Sequence, residues 1–392
     1  MKLFFIVVLS FGLCLATISP GDGDKNKNQQ KVLKAKKKGP QEENVFERKL
    51  IEEEPSPQSI LVENGAYSKN TGQRHFNGTV LGYVTPWNNH GYDVAKIFGK
   101  KFSHISPVWL QIVPHGENNY KIAGVHDIDS GWAKDVKKAG INTKILPRVL
   151  FDKFNEKDFS KMLTFDKDRR VINELLVKTC QEHRFEGIVL EVWSTLAARV
   201  DDDILYKLVI DMANHLKSHY LDLVLVVPPY REDMHELFSL KNFEKLFPYV
   251  TSFSLMTYDF STLQRPGANA PLHWIKTAIE RIVPEKASDF EDKRRKILMG
   301  LNMYGMDYTP DGGGPIIGHQ FLSLLKGLKK RILYDEHDEE NFFEIKTETG
   351  RHIVFYPTLF SIHKRLELAQ EMKVGISIWE LGQGLDYFYD LF

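Results

Sequence analysis

From Thr79 to Phe392, short apolar runs rich in β-branched residues alternate with amphipathic helical patterns. Eight of the runs read as strands: TVLGYVTPW, FSHISPVWLQI, TKILPRVLF, FEGIVLEVW, LDLVLVVPP, TSFSLMTYDF, KILMGLNMYG and GISIWEL. Near-continuous apolar strands joined by helices are the pattern of a parallel sheet covered on both faces. After the fourth strand, Ile204, Leu208, Met212 and Leu216 recur four apart behind the acidic start Asp201 to Asp203, as an amphipathic helix requires. After Pro357, Leu359, Ile362, Leu366 and Ala369 share one face of another. Eight such units in roughly 310 residues predict a closed (β/α)8 TIM barrel over 79–392 rather than an open doubly wound sheet. The turn after the first strand, VTPWNNHGYD, carries no G-x-G-x-x-G. Extra length between strands seven and eight, RILYDEHDEENFFEIKTETGRHIVFY, alternates on both sides of Thr349-Gly350 and predicts a small inserted hairpin.

The N-terminal part reads differently. Residues 1–16, MKLFFIVVLSFGLCLA, set Lys2 before a short apolar run ending in small residues, the pattern of a signal peptide. A membrane anchor needs roughly 20 apolar residues, and the chain turns polar and lysine-rich too soon, so a secreted chain with no membrane span is expected. Residues 17–78 are basic, then acidic (IEEEPSP), with few aromatics, and are expected to be a mostly disordered lead-in, SILVEN at Ser59 to Asn64 being the stretch best able to pack. The run KVLKAKKKGP is either a solvated tail or a contact for anionic glycans. Cys14 leaves with the signal, so Cys180 is either a buried helical thiol or one that pairs with another chain. Asn77-Gly78-Thr79 is an acceptor for N-linked glycan.

Lys plus Arg and Asp plus Glu balance at 52 each, which removes any global electrostatic reason to expect nucleic acid or an anionic membrane. Partners have to come from a site. In a barrel of this kind the site lies at the C-terminal ends of the strands. Those ends offer Trp87, Trp109, Trp193, Tyr258, Asp259, Asn302, Tyr304 and Trp379. Aromatic faces stack on sugar rings while polar neighbours fix hydroxyls, so tryptophans converging from four strands point to an oligosaccharide groove; singly, each would be a filler of the barrel mouth. His104, His115, His126 and His352 lack metal-ligand spacing and no H-E-x-x-H occurs, so neither metal nor cofactor is assigned. DGGGP at Asp311 to Pro315 is expected to be a flexible loop, since no Lys or helix start completes a phosphate cradle.

From Thr79 onward the chain resembles the family 18 glycoside hydrolases, the chitinases and chitinase-like lectins, whose fourth strand reads D-G-x-D-x-D-x-E. EGIVLEVW lies on that motif; GYVTPW, MTYDF, MYG and SIWELGQG are similar to the family's first, sixth, seventh and eighth strands. In active members the last Glu protonates the glycosidic oxygen and the Asp two residues earlier orients the substrate's acetamido group, whose oxygen attacks the anomeric carbon. On this chain the resemblance puts Glu186 at the motif's start, Val189 at the first inner Asp, Glu191 at the orienting Asp and Trp193 at the acid. An indole N–H cannot release its proton near neutral pH. Residues 189, 191 and 193 of one strand share a face, which would leave Glu191 about 6.6 Å too deep to act as the acid. By the same resemblance Tyr258 and Asp259 are substrate contacts and Trp379 the platform beneath the sugar.

The expected function is therefore a secreted lectin, not an enzyme, that binds N-acetylglucosamine-containing or bacterial envelope glycans. The signal, the basic lead-in and SIWELGQGLDYFYDLF are similar to the branch of the family that binds a scavenger receptor of the stabilin type, which implies that receptor as partner and delivery to lysosomes. Two alternatives stand beside it: a glycosidase using Asp259 or Glu380, and a receptor cargo or scaffold whose groove is vestigial.

Overall fold

Eight parallel strands close on themselves, each followed by at least one helix. The computed structural model describes residues 38–116 and 119–392, so the signal peptide and the first part of the lead-in lie outside the described residues. The strands are Val80–Val84; His104–Pro107 continued by Leu110–Pro114; Lys144–Ile145 continued by Arg148–Phe151; Gly187–Glu191; Asp222–Val227; Ser252–Leu255; Ile297–Asn302; and Gly375–Trp379. Each pairs in parallel with the next, and the eighth pairs with the first through Ile376 opposite Val80. All eight predicted strands are present in a (β/α)8 barrel. At the start of the fourth, Gly187 has φ 153°, and a Cβ there would stand 2.1 Å from the Asp222 carbonyl oxygen. Only glycine lets strands four and five approach this closely.

The lumen is apolar. Leu81, Tyr83, Val108, Leu146, Val189, Val224, Val226 and Leu298 fill it, with Met256 and Trp379 at the rim. A thin polar thread crosses it: the Tyr83 hydroxyl lies 2.9 Å from Ser254 Oγ, which bonds Ser377 Oγ at 3.1 Å. A larger core fills the space between strands and helices. The helix Leu359–Glu371 buries Leu359, Ile362, Leu366 and Ala369 as predicted. The helix Asp202–Ser218 buries Leu208, Met212 and Leu216, but Ile204 is exposed, because a four-residue spacing drifts round a 3.6-residue helix and Leu205 and Val209 take the inner face.

The insert between strands seven and eight is larger than a hairpin. The predicted hairpin is there, Glu340–Thr347 against Gly350–Phe355 with Thr347 opposite Gly350. It is the centre of a five-stranded antiparallel sheet that also holds Gly305–Thr309, Gly312–Ile316 and Leu333–Asp335. DGGGP, expected as a loop, forms the edge strand against Gly305–Thr309; Gly313 has φ +87° and admits no Cβ beside the Asp307 carbonyl. Among the described residues no helix is long and apolar enough to cross a membrane.

Residues 38–78, expected as mostly disordered lead-in, are folded. Gly39–Gln41 pairs with Ala66–Ser68, and the helix Pro57–Glu63, capped by Ser56, covers the predicted SILVEN stretch. Val45, Ile60 and Phe76 enter the main core. The buried Asp390 carboxylate accepts from Val45 N at 3.2 Å and from Ser68 N at 2.9 Å. The acidic run docks through its backbone and one side chain: the Glu53 carbonyl accepts from Asn341 Nδ2, the Pro55 carbonyl from Ile332 N, and the Glu52 carboxylate from Arg331 at 3.3 Å. A segment poor in apolar residues folds here because the remainder of the chain supplies the surface its few apolar groups need.

Candidate functional site

At the C-terminal ends of the strands the chain gathers Tyr83, Arg148, Glu191, Tyr258, Asp259, Tyr304 and Trp379. Trp379 closes the eighth strand, half-buried, with its ring centroid 5.2 Å from that of Tyr83 and a tilt of 58°. It touches both the lumen and the aromatic cluster of the insert, Tyr304, Met306, Tyr308 and Phe355, so the insert walls one side of the mouth. Glu191 closes the fourth strand and accepts from Arg148 Nε of the third at 2.5 Å. Both charges act on the hydroxyls of Tyr83 and Tyr258. Burial is the main reason both phenols are held well above the ordinary tyrosine range, so both remain neutral hydrogen-bonding groups.

Asp259 sits with φ 58° just past the sixth strand, its own N–H bonded to Asn269 Oδ1 at 2.7 Å. The Tyr304 hydroxyl donates to its carboxylate and the Arg231 guanidinium to its carbonyl. Burial raises this carboxyl above the usual range, while the Tyr304 hydrogen bond and Arg231 pull against that rise. Asn302 does not reach the mouth; it is buried, and its Nδ2 donates to the Tyr304 carbonyl at 2.8 Å, fixing the turn that carries Tyr304.

Three more expected sugar contacts stand elsewhere. Trp193 is 0% exposed and belongs to the core behind the barrel wall, not to the lumen. Its Nε1 donates to the Leu237 carbonyl at 2.7 Å, and its ring packs on Tyr206 and edge-on to Phe238. The expectation that 189, 191 and 193 share a face fails because the strand stops at Glu191. Val192 has ψ −27°, which turns the chain into the short helix Trp193–Leu196 and carries the indole outward. Trp109 likewise faces away, fully buried between Tyr92 and Trp132, with Nε1 on the Tyr92 hydroxyl at 2.7 Å. Trp87 is 51% exposed on the loop after strand one, and among the described residues no ring contact joins it to the mouth.

The motif's other residues have structural work. Val189 is buried in the lumen. Glu186 accepts from Ile145 N at 2.8 Å and pairs with Lys137, tying the third strand to the fourth at the closed end. Cys180 is a buried helical thiol whose Sγ donates to the Gly187 carbonyl oxygen at 3.7 Å, and burial pushes its pKa up to about 12. Glu380 is 0% exposed and turned away from the mouth: it accepts from Asn88 Nδ2 at 2.5 Å and from Gly382 N at 3.0 Å, beneath the loop after strand one. Asn77 is exposed. Sequence reasoning missed Tyr83 and Arg148. Tyr83 sits inside GYVTPW, and a lone Arg in the apolar run TKILPRVLF is a signal for a charge at the mouth.

The family model of the glycosyl hydrolases family 18 matches residues 79–384. The chain belongs to that family. It is 31% identical over 137 residues to the cortical fragment-lytic enzyme of Bacillus subtilis (strain 168), a match covering 33% of this chain and only 30% of that protein. Solved structures with the same fold include a chitinase from Chromobacterium violaceum (TM-score 0.67, 18% identity, 80% of this chain and 98% of that one). The Bacillus cereus spore cortex-lytic enzyme SleL is similar too (TM-score 0.66, 16% identity, 80% and 73%). So is a mutant Cycas revoluta chitinase in complex with (GlcNAc)4 (TM-score 0.65, 12% identity, 80% and 98%).

Proposed function

We propose that this family 18 barrel binds N-acetylglucosamine-containing or bacterial envelope oligosaccharides without cleaving them. The observation that carries the reading is the end of the fourth strand. The acid's sequence position holds an indole turned out of the barrel, and the one carboxylate of the motif that faces the mouth, Glu191, is engaged by Arg148. Proton delivery needs the donor within about 3 Å of the glycosidic oxygen, and the Glu191 carboxylate, two residues before the acid's position, is turned toward the third strand's guanidinium instead. What the mouth retains suits binding: an indole platform at Trp379, with Tyr258 and Asp259 beside it and the buried Tyr83 and Tyr304 holding Trp379 and Asp259 in place from behind. The Cycas chitinase complex makes (GlcNAc)4 the first ligand to try.

A second reading has one observation in its favour. Asp259 is a carboxyl raised above the usual range at the mouth, the condition of a general acid. Its commitment to Tyr304, Asn269 and Arg231 argues for a positioning role instead. Export through the signal peptide, a receptor of the stabilin type, lysosomal delivery and a part in innate immune sensing extend the proposal; they rest on residues 1–16 and on the resemblance of the C-terminal stretch. Calorimetric titration with (GlcNAc)4, followed by mass spectrometry of the cell contents, tests both readings. Saturable binding with intact tetrasaccharide is expected. Products that vanish in Asp259→Asn would establish the second reading, and failure to bind any glycan of this class would end the first.

A further inference from the structure

Away from the mouth, the helix Leu272–Ile282 that follows strand six meets the turn of the insert just before Glu340–Thr347. His273 stands on the first turn of that helix, and His337 and Asp338 stand on the insert. His273 Nε2 lies 3.1 Å from Asp338 Oδ1, His337 Nε2 lies 4.0 Å from the same oxygen, and the two imidazoles face each other with centroids 4.8 Å apart. One ligand atom from each of the three residues falls within 4.8 Å of the other two. Around a tetrahedral zinc ion with bonds near 2.1 Å, neighbouring donor atoms are separated by roughly 3.4 Å, inside the range spanned here.

We infer that His273, His337 and Asp338 bind a zinc-class divalent transition metal that clips the insert to the barrel. Two imidazoles and a carboxylate, with no thiolate, are the donors such ions take, and three protein ligands leave a fourth position for water. The backbone beneath is already set. Leu272 N bonds the Asp338 carbonyl at 3.0 Å, and Asp335 Oδ1 accepts from the N–H groups of His337 and Asp338, shaping the turn that presents them. Beside it, Glu340 accepts from Asn269 N and Ala270 N and pairs with Arg365, so the loop entering the helix is fixed to the insert before any metal arrives. His337 is 82% exposed at its side chain, so a side-chain rotation can supply the shift of about 1 Å that coordination asks. The metal would reinforce a seam and take no part in glycan chemistry. Sequence spacing could not show it, because the two histidines come from different units of the fold.

The test uses the purified full chain without a polyhistidine tag, stripped with chelator and titrated with zinc sulfate. One equivalent should bind; cobalt(II) should give the intense visible bands of a tetrahedral site, and zinc should raise the unfolding midpoint. His273→Ala and His337→Ala should each weaken zinc at least about tenfold and abolish the midpoint shift. His126→Ala, an exposed histidine elsewhere, should change neither. No saturable zinc binding in the wild type, or binding that survives either of the two variants, overturns the bridging site.

Discussion

The fourth and eighth strands end in the same two residue types and use them in opposite ways. The fourth ends in Glu191 and, two residues on, Trp193; the eighth ends in Trp379 followed by Glu380. At the fourth, the carboxylate faces the mouth and the indole is buried behind the wall. At the eighth, the indole faces the mouth and the carboxylate is buried behind. The difference is one of parity and of where the extended chain stops. Trp379 is still in strand conformation, on the inner register with Ser377, whereas Trp193 lies past the break at Val192. A residue's chemistry at a barrel mouth therefore depends on which side of the last extended residue it falls.

The largest effect expected from this contrast is on stability. Trp193→Ala removes a fully buried ring and should cost about 3–5 kcal/mol of unfolding free energy in denaturant titration, while glycan affinity of the folded protein stays near wild type. A loss below about 1 kcal/mol, coupled to weakened glycan binding, would place the indole in the groove after all. Trp379→Ala should do the reverse, weakening (GlcNAc)4 by about thirtyfold, about 2 kcal/mol, with a smaller change in unfolding. Affinity equal to wild type would move the binding site elsewhere.

Glu380 gives a pH signature. Burial pushes its carboxyl from 4.5 up to about 7, against hydrogen bonds from Gly382 N and Asn88 that pull it down. The folded chain thus holds this proton more tightly than the unfolded one. The stabilisation is complete below about pH 4.5 and is lost as pH rises through about 7. At about 1.4 kcal/mol per pH unit, wild type should lose up to roughly 3 kcal/mol across that window, and Glu380→Gln should flatten the slope. Parallel slopes for the two proteins would show that Glu380 is not buried as described. Smallest of all, Glu191→Gln should change stability by about 1 kcal/mol or less, since the Arg148 pair reaches solvent at the mouth.

The barrel was legible because parallel strands covered on both faces must be apolar throughout, and eight such runs leave little choice of architecture. The inserted hairpin was legible by its alternation, but the edge strand of its sheet was not: Gly312–Ile316, which pairs with Gly305–Thr309, is glycine-rich, and glycine reads as a turn even on a sheet edge. The lead-in was misjudged because Val45 and Ser68 pair with Asp390, at the far end of the chain, and composition averages cannot register such contacts. In the site, Tyr258, Asp259, Tyr304 and Trp379 fall where strand ends predict. Trp109 and Trp193 do not, because a kink after Pro107 and a stop at Glu191 each turn an indole outward, and such breaks leave no periodic trace.

The central claim, that the indole of strand eight and not that of strand four meets the sugar, can be read directly by fluorine NMR. The six tryptophans of the chain would be replaced by 5-fluorotryptophan, with Trp193→Phe and Trp379→Phe used to assign two of the signals. Titration with (GlcNAc)4 should shift or broaden the Trp379 resonance, leave those of Trp193 and Trp109 in place, and leave the tetrasaccharide whole. A Trp193 resonance that moves with saturation while Trp379 stays fixed, or tetrasaccharide consumed in the tube, would contradict the account.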